Sequence, residues 1–299
     1  MACLDIQGKV LNRPLSDLLG GAVRDRVPFI AYLFWRYERP DGRDDTCAED
    51  MADFCEELAE TLGVTAMKLK AGVMDPDEEA RVLELCRLRL GDRFGLRIDP
   101  NGVWSVPTAQ RIGRRLEPLA IQFYEDPSWG LTGNAAVREA VRIPIATNMY
   151  PAKFDDLAPG IRLGAADIIL TDLHYWEGPK GVMELVAVCR TFGLGVAMHS
   201  GTEFGIELAA MIHTAACIPE MTFQGDAHYH YLEDDIIVGG KHQYRDGTIA
   251  VPSGPGLGVE IDRDKLRHYA EYFDKMGDYY GAWPKDARRP EWVPMNGAI

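Results

Sequence analysis

The hexapeptide Met67-Lys68-Leu69-Lys70-Ala71-Gly72 decides how the chain is read. It reads as a short strand that ends in two lysines with one apolar residue between them. Side chains alternate faces along a strand, so Lys68 and Lys70 share one face and Leu69 takes the other. Two ammonium groups side by side repel, and each is expected to lose some basicity. That arrangement costs stability and suits a base that must be neutral near pH 7. A solvated strand end that happens to carry two lysines is the plain alternative, and the surrounding pattern separates the two.

On either side of this stretch a unit repeats: a few apolar residues, a polar group, a loop, then a helix. Strands are predicted at 29–35, 67–70, 95–98, 121–124, 143–147, 167–171, 195–198 and 221–224. A helix begins near Ala48, with Met51, Phe54, Cys55, Leu58 and Leu62 at spacings of three and four and Gly63 at its end. Further helices are predicted at 75–90, opened by Asp75-Pro76, from Val106-Pro107, and at 132–141, 153–158, 179–192 and 205–217. Polar residues close six strands at 70, 99, 125, 148, 172 and 199, steps of 23 to 29 residues. That is the length of a βα unit, and the whole reads as an α/β protein with a TIM-type (β/α)8 barrel. An open doubly wound sheet is the alternative, but it does not ordinarily place a polar residue at six successive strand ends. In a barrel those ends share one mouth, where sites are built.

The flanks differ. Residues 1–26 read as the tail of something, with one helix over about 4–19 stopped by Gly20-Gly21. A polar loop is expected at 38–46. After 225 a hairpin is expected around Asp246-Gly247 with 249–251 as its second arm. A Pro/Gly-rich loop at 252–258, a helix at 264–276 and an irregular last 20 residues complete the chain.

With 299 residues, 46% of them hydrophobic, the composition is that of a globular chain. A formal charge of −14 argues against a nucleic-acid surface. It also means that local positive charge must draw in any anionic substrate. Cys3, Cys47, Cys55, Cys86, Cys189 and Cys217 show no CxxC pair, which suits reduced thiols in a cytoplasmic protein. No apolar run reaches spanning length, so no membrane partner is expected.

Asp99, Glu125 and Asn148 are hard oxygen donors on three neighbouring strands, a set that suits Mg²⁺. Singly each has a plain alternative: a turn, a loop start, a cap. Together, at consecutive strand ends beside paired lysines, they point to a metal site. Asp172 ends the strand before His199, so its carboxylate can reach one imidazole nitrogen and support the imidazolium. Lys70 and His199 then lie on strands two and seven, across the mouth from each other. The arrangement suits removal of a proton from the carbon beside a metal-held carboxylate. Two such groups permit epimerisation, or loss of a β-hydroxyl.

These residues resemble the enolase superfamily, and within it the glucarate dehydratase branch of the mandelate racemase subgroup. The resemblance covers residues 15–262. It is carried by Lys68-Leu69-Lys70, Arg97-Ile98-Asp99-Pro100-Asn101-Gly102, Glu125-Asp126-Pro127, Thr147-Asn148-Met149, Asp172 before His174-Tyr175-Trp176, His199-Ser200 and Pro255-Gly256-Leu257-Gly258-Val259-Glu260. It implies the modified (β/α)7β barrel and an acid-sugar dehydratase acting on a small hexarate-type dicarboxylate. An epimerase or racemase is the enzyme alternative. It further implies Lys70 as one base with Lys68 lowering its pKa, His199 with Asp172 as the other base or acid, and Asn101 as an assistant. Tyr32, Phe34, Ser200 and His228 are the implied substrate contacts. A homo-oligomer is family habit.

The resemblance also implies a division into 1–26, the end of an N-terminal α+β capping domain, 27–236, the barrel, and 237–299, a segment packing on both. Most of that cap is missing here, so the segment after 237 is expected to have little to pack against. The chain is then expected to be a fragment, to be covered by another chain, or to be a metal-binding barrel without turnover. No arginine in the C-terminal stretch convincingly matches the one that the glucarate enzymes use for the distal carboxylate.

Overall fold

The computed structural model describes residues 1–36, 42 and 44–276. The irregular last 20 residues expected from the sequence, and part of the loop at 38–46, lie outside them. Helices α1 (Ala2–Leu11) and α2 (Leu15–Leu18) precede strands β1 (Arg26–Pro28) and β2 (Ala31–Leu33). Helix and strand then alternate through α3 (Ala48–Leu62), β3 (Ala66–Lys70), α4 (Pro76–Leu90), β4 (Gly95–Asp99), α5 (Val106–Leu116), β5 (Phe123–Glu125) and α6 (Gly130–Arg138). They continue through β6 (Ile145–Thr147), α7 (Phe154–Leu163), β7 (Ile168–Thr171), α8 (Gly178–Phe192), β8 (Gly195–Met198) and α9 (Gly205–Ala216). Strand β9 (Thr248–Ala250) and helix α10 (Arg263–Met276) close the described chain.

Strands β2 to β8 form one parallel sheet in chain order. Segment 221–226 supplies the eighth position. The Thr222 and Asp226 N–H groups donate to Val196 O at 3.2 Å and Met198 O at 2.9 Å on β8. On its other side Gly225 N–H donates to Pro28 O at 2.9 Å, and Ile30 N–H donates to Gly225 O at 3.0 Å. The sheet therefore closes on itself. Each of the seven strands is followed by an α-helix, whereas the eighth position runs into a single 3-10 turn (His228–Tyr231), which is the (β/α)7β arrangement.

Alternation sets what faces where. Met67 and Leu69 join a buried layer with Leu33, Met51 and Leu96 under the helices. Lys68 and Lys70 turn the other way, into the lumen. Register places Lys68 between Tyr32 and Arg97, and Lys70 beside Asp99. Phe123, Ala146, Ile168, Leu170 and Ala197, with Phe223 against them, form a small apolar core of their own. All six cysteines are free thiols.

The flanks depart from expectation in three places. The helix expected over 4–19 breaks in two, because Asn12 takes a left-handed conformation (φ 52°) and Pro14 has no N–H to continue the turn. Asp246 and Gly247 do make a tight turn at positive φ (49° and 67°), but the arm after it pairs with β1 from the far end of the chain. The segment after 237 packs only in part: α10 is largely exposed, as expected, but the stretch around 249–257 is held against α1 and β1. Gly8 of α1 lies so close to Gly256 that a Cβ would come within 2.6 Å of its Cα. Leu257 N–H donates to Asp5 Oδ1 at 2.8 Å, and Ile249 and Leu257 are buried. The first barrel strand is also shorter than the 29–35 expected.

One carboxylate brackets the loop that follows the two lysines. Glu79, in the first turn of α4, is fully buried and accepts the N–H groups of Gly72, Val73 and Met74 at 2.8, 2.9 and 2.9 Å. Gly72 must be glycine: its φ is +78°, and a Cβ would lie 2.3 Å from Val103 Cγ2. The loops after β3 and β4 are thereby locked together. Burial raises Glu79 from 4.5 to about 7, against the pull of those three N–H groups. Between those values the folded chain keeps a proton that the unfolded chain releases. Stability therefore falls by about 3 kcal/mol as pH rises through that window. Glu79→Gln is expected to flatten that slope in urea titrations between about pH 4.5 and 7. An unchanged slope would show that Glu79 is not its source.

Candidate active site

The site forms where β3, β4, β5, β6, β7, β8 and the eighth segment end. Lys68 is fully buried and donates to Glu125 Oε2 at 2.6 Å and to Asp226. Lys70, 12% exposed, donates to Asp99 and to Asn101 Oδ1 at 3.3 Å. Asn101 sits in a left-handed turn (φ 52°) whose N–H donates to Asp99 Oδ1 at 2.8 Å. The expected mutual weakening of the lysines does not hold for Lys68. Burial pulls its pKa down, but Asp226, Glu125 and Asp99 outweigh burial and raise it. Asp99 is held below the usual carboxylate range: burial opposes ionisation, and the Lys70 and Lys68 charges overcome it. Glu125 is pushed well above its range by burial and by Asp99.

Asp226 and Arg97 had no role in the sequence reading. Asp226 ends the eighth strand position, fully buried, between Lys68 and Arg97 Nη1 at 3.1 Å. Arg97 is itself fully buried, held by Gln122 Oε1 at 2.7 Å and Gln224 Oε1 at 2.9 Å. The signal available was the polar strand end at 226, one βα-unit length beyond His199. Asp126 enters the sequence reading only within the motif Glu125-Asp126-Pro127, without a role of its own. It accepts the N–H of Asn148 at 2.9 Å and the Thr147 hydroxyl at 2.5 Å, and so places the end of β6.

Asn148 joins the two halves of the site. One end of its amide meets His199 Nε2 at 3.0 Å. The other lies 3.1 Å from Glu125 Oε1 and 3.0 Å from Asp126 Oδ2. Nitrogen at this second end satisfies both carboxylates directly. That orientation also leaves the amide oxygen to accept from His199 Nε2, so every partner is satisfied. By donor chemistry Asp99, Glu125 and Asn148 fit a hard divalent ion, for which the amide would turn its oxygen to the carboxylate side. Among the described residues no three His, Cys, Asp or Glu side chains are arranged to hold a metal. The candidate set reaches three donors only through this amide.

His199 Nδ1 faces Asp172 Oδ2 at 3.0 Å. Asp172 also accepts the N–H groups of His174 and Tyr175, both at 2.8 Å. Despite burial, the His199 contact and these N–H donors hold Asp172 below its usual range. A cavity of about 1060 Å³ opens beside this pair, lined by Phe34, His199, Ser200 and His228 among others. Of the expected contacts, Phe34, Ser200 and His228 therefore reach it. Tyr32 is fully buried; it stacks on His228 at 4.1 Å, and its hydroxyl has no hydrogen-bond partner among the described residues.

Comparison with known proteins identifies this architecture. Residues 50–265 match the family described as Enolase C-terminal domain-like. The chain belongs to the enolase superfamily. Among curated superfamily members, a probable glucarate dehydratase of Streptomyces coelicolor is 39% identical over 98% of the chain and 70% of its own length. A chloromuconate cycloisomerase of Pseudomonas putida is 30% identical over 90% of the chain and 70% of its own length. Among solved structures, an enolase of Gibberella zeae complexed with magnesium, formate and sulfate superposes with a TM-score of 0.92 at 35% identity, covering 100% of this chain and 72% of that one. The superfamily relatives thus include a dehydratase and an isomerase. No described helix is long and apolar enough to cross a membrane.

Removing one member of a buried charge group leaves its partners uncompensated. Asp226→Ala is therefore expected to destabilise the fold by about 3–5 kcal/mol, read by urea unfolding. A loss under about 1 kcal/mol would show that Lys68 and Arg97 do not depend on it.

Proposed function

We propose that the protein is a Mg²⁺-dependent acid-sugar dehydratase, acting on a hexarate-type dicarboxylate such as D-glucarate or a close relative. The observation that supports the reading is the contact of His199 with Asp172 at the ends of β8 and β7, with Lys70 at the end of β3 in the same sheet. The likeness to a probable glucarate dehydratase supports the same reading.

In this reading Asp99, Glu125 and Asn148 hold the ion. When bound there, Mg²⁺ supplies Lewis-acid stabilisation of negative charge on the substrate carboxylate. Lys68, buried and cationic, orients that carboxylate. Lys70 takes the proton from the adjacent carbon, with Asn101 holding its ammonium group. The C–O bond of the β-hydroxyl breaks, and the hydroxyl leaves as water with a proton from His199. Asp172 steadies the imidazolium that must form before that transfer. The enol left behind becomes a 2-keto-3-deoxy acid. Residues 1–26 are read as the end of a capping domain and 27–236 as the catalytic barrel.

Incubation of the Mg²⁺-loaded protein with a broad panel of acid sugars in D₂O tests this. A 2-keto-3-deoxy product is expected. An isomer carrying deuterium at its α-carbon would replace dehydration by epimerisation, and neither product would sink both. Lys70→Ala and His199→Asn are each expected to lower turnover by about 10²–10⁴-fold while calorimetric Mg²⁺ affinity stays within about threefold. Loss of Mg²⁺ binding in either variant would overturn the assigned roles.

A further inference from the structure

Behind the cavity, three side chains form a hydrogen-bonded chain that the dehydration steps do not use. The Ser200 hydroxyl lies 2.9 Å from Glu203 Oε1 and 2.7 Å from Oε2. It also lies 2.7 Å from His228 Nδ1, and it accepts the His228 backbone N–H at 3.0 Å. Ser200 and Glu203 are 2% and 4% exposed, so water does not complete their hydrogen bonds.

A hydroxyl has one hydrogen and two acceptor positions. The His228 backbone N–H takes one acceptor position. An ionised Glu203 can only accept, so it takes the hydrogen. Only one acceptor position then remains for His228 Nδ1, which must carry a proton to fill it. The reverse assignment would set both carboxylate oxygens against a bare hydroxyl oxygen inside the protein, an unrelieved buried repulsion. The ring cannot turn to escape. It is stacked on Tyr32 at 4.1 Å and 13°, and on Phe34 at 5.4 Å and 28°. With Nδ1 committed to Ser200, the Nε2 edge is the part of the ring left for the cavity that His228 lines.

We propose that Glu203, acting through Ser200, fixes His228 as its Nδ1–H tautomer, so that the Nε2 lone pair is presented to a hydroxyl group of the substrate. Glu203 is then a positioning residue for specificity. The ligand class at this wall is a hydroxyl donor of a polyhydroxy acid; a carboxylate or a carbonyl oxygen there would meet a second lone pair. This deepens the dehydratase reading and rests on it for the identity of the substrate, but not for the tautomer.

The charges around the unit agree with a neutral ring. Burial, with Lys70 and Lys68, pushes His228 down to about 3, while Asp226 pulls it up and His199 adds to the lowering. Burial raises Glu203 to about 7; the Ser200 hydroxyl opposes this, while Glu207 and Asp226 add to it. Above that value Glu203 carries the charge that the proton count requires.

Long-range ¹H–¹⁵N correlation of the histidine-labelled full chain at about pH 8.5, with His228 assigned from a His228→Gln spectrum, reads the tautomer without any turnover. Wild type is expected to show Nδ1 protonated and Nε2 bare. In Glu203→Ala, and independently in Ser200→Ala, the Nε2–H form is expected to rise by at least about threefold. An Nε2–H ring in wild type, or an unchanged tautomer in both folded variants, overturns the proposal. If the acid-sugar panel yields turnover, Glu203→Ala is expected to raise KM by about tenfold with kcat within about threefold. A fall in kcat with KM unchanged would place Glu203 elsewhere. If no acid sugar is turned over, the dehydratase reading fails and the tautomer measurement still decides this one.

Discussion

Two fully buried cations, Lys68 and Arg97, share one fully buried carboxylate, Asp226, and Lys68 reaches a second in Glu125. Moving any one of these groups out of water alone costs several kcal/mol, so none of them can be placed without the others. The constraint is geometric as well as energetic. Lys68 belongs to β3, Arg97 to β4, Glu125 to β5 and Asp226 to the eighth strand position. A register slip of one residue in any of these strands would turn a charge out of the lumen and leave its partner buried and unpaired. The network therefore fixes the register of these strands, and with it the place of Lys70 and Asp99, which pair two residues further along β3 and β4. The active site and the closure of the barrel depend on the same ion pairs.

Around that network, carboxylates serve as brackets for backbone. Glu79 gathers three consecutive N–H groups of the loop after β3, and Asp126 gathers those at the end of β6. Each holds a loop next to a candidate-site residue, Lys70 in one case and Asn148 in the other. Each is raised by burial, Glu79 to about 7 and Asp126 to about 6. Side chains that merely decorate a loop would not be left under that burial. A loop fixed in this way holds the neighbouring candidate-site side chain in one position.

The apolar and polar halves of the lumen divide the work. Phe123, Ile168, Leu170 and Phe223 fill one apolar layer, and Phe123 and Phe223 lie against the Arg97 guanidinium at 4.6 and 5.8 Å. Beyond them the lumen turns ionic, and beyond that it opens at His199, Ser200 and His228. Charge of both signs is thereby concentrated at the mouth, where Lys68, Lys70 and Arg97 are matched by Glu125, Asp226 and Asp99.

The repeat of strand, polar residue, loop and helix was legible because it is local. Alternation puts Lys68 and Lys70 on one face whatever surrounds them, and a βα step of constant length brings Asp99, Glu125, Asn148, Asp172 and His199 to one rim. Those properties follow from neighbours in sequence, so the barrel and most of the candidate site could be read from the residues. The partners could not. From the sequence the lysines are expected to weaken each other; only the fold brings Asp226 to Lys68 across 158 positions and reverses the effect on Lys68. Likewise, nothing in Ser200-Gly201-Thr202-Glu203 announces that its hydroxyl meets a histidine 28 residues on. Side-chain chemistry is written in the chain, but protonation, tautomer and pairing are set by distance and burial, and these exist only once the barrel has closed.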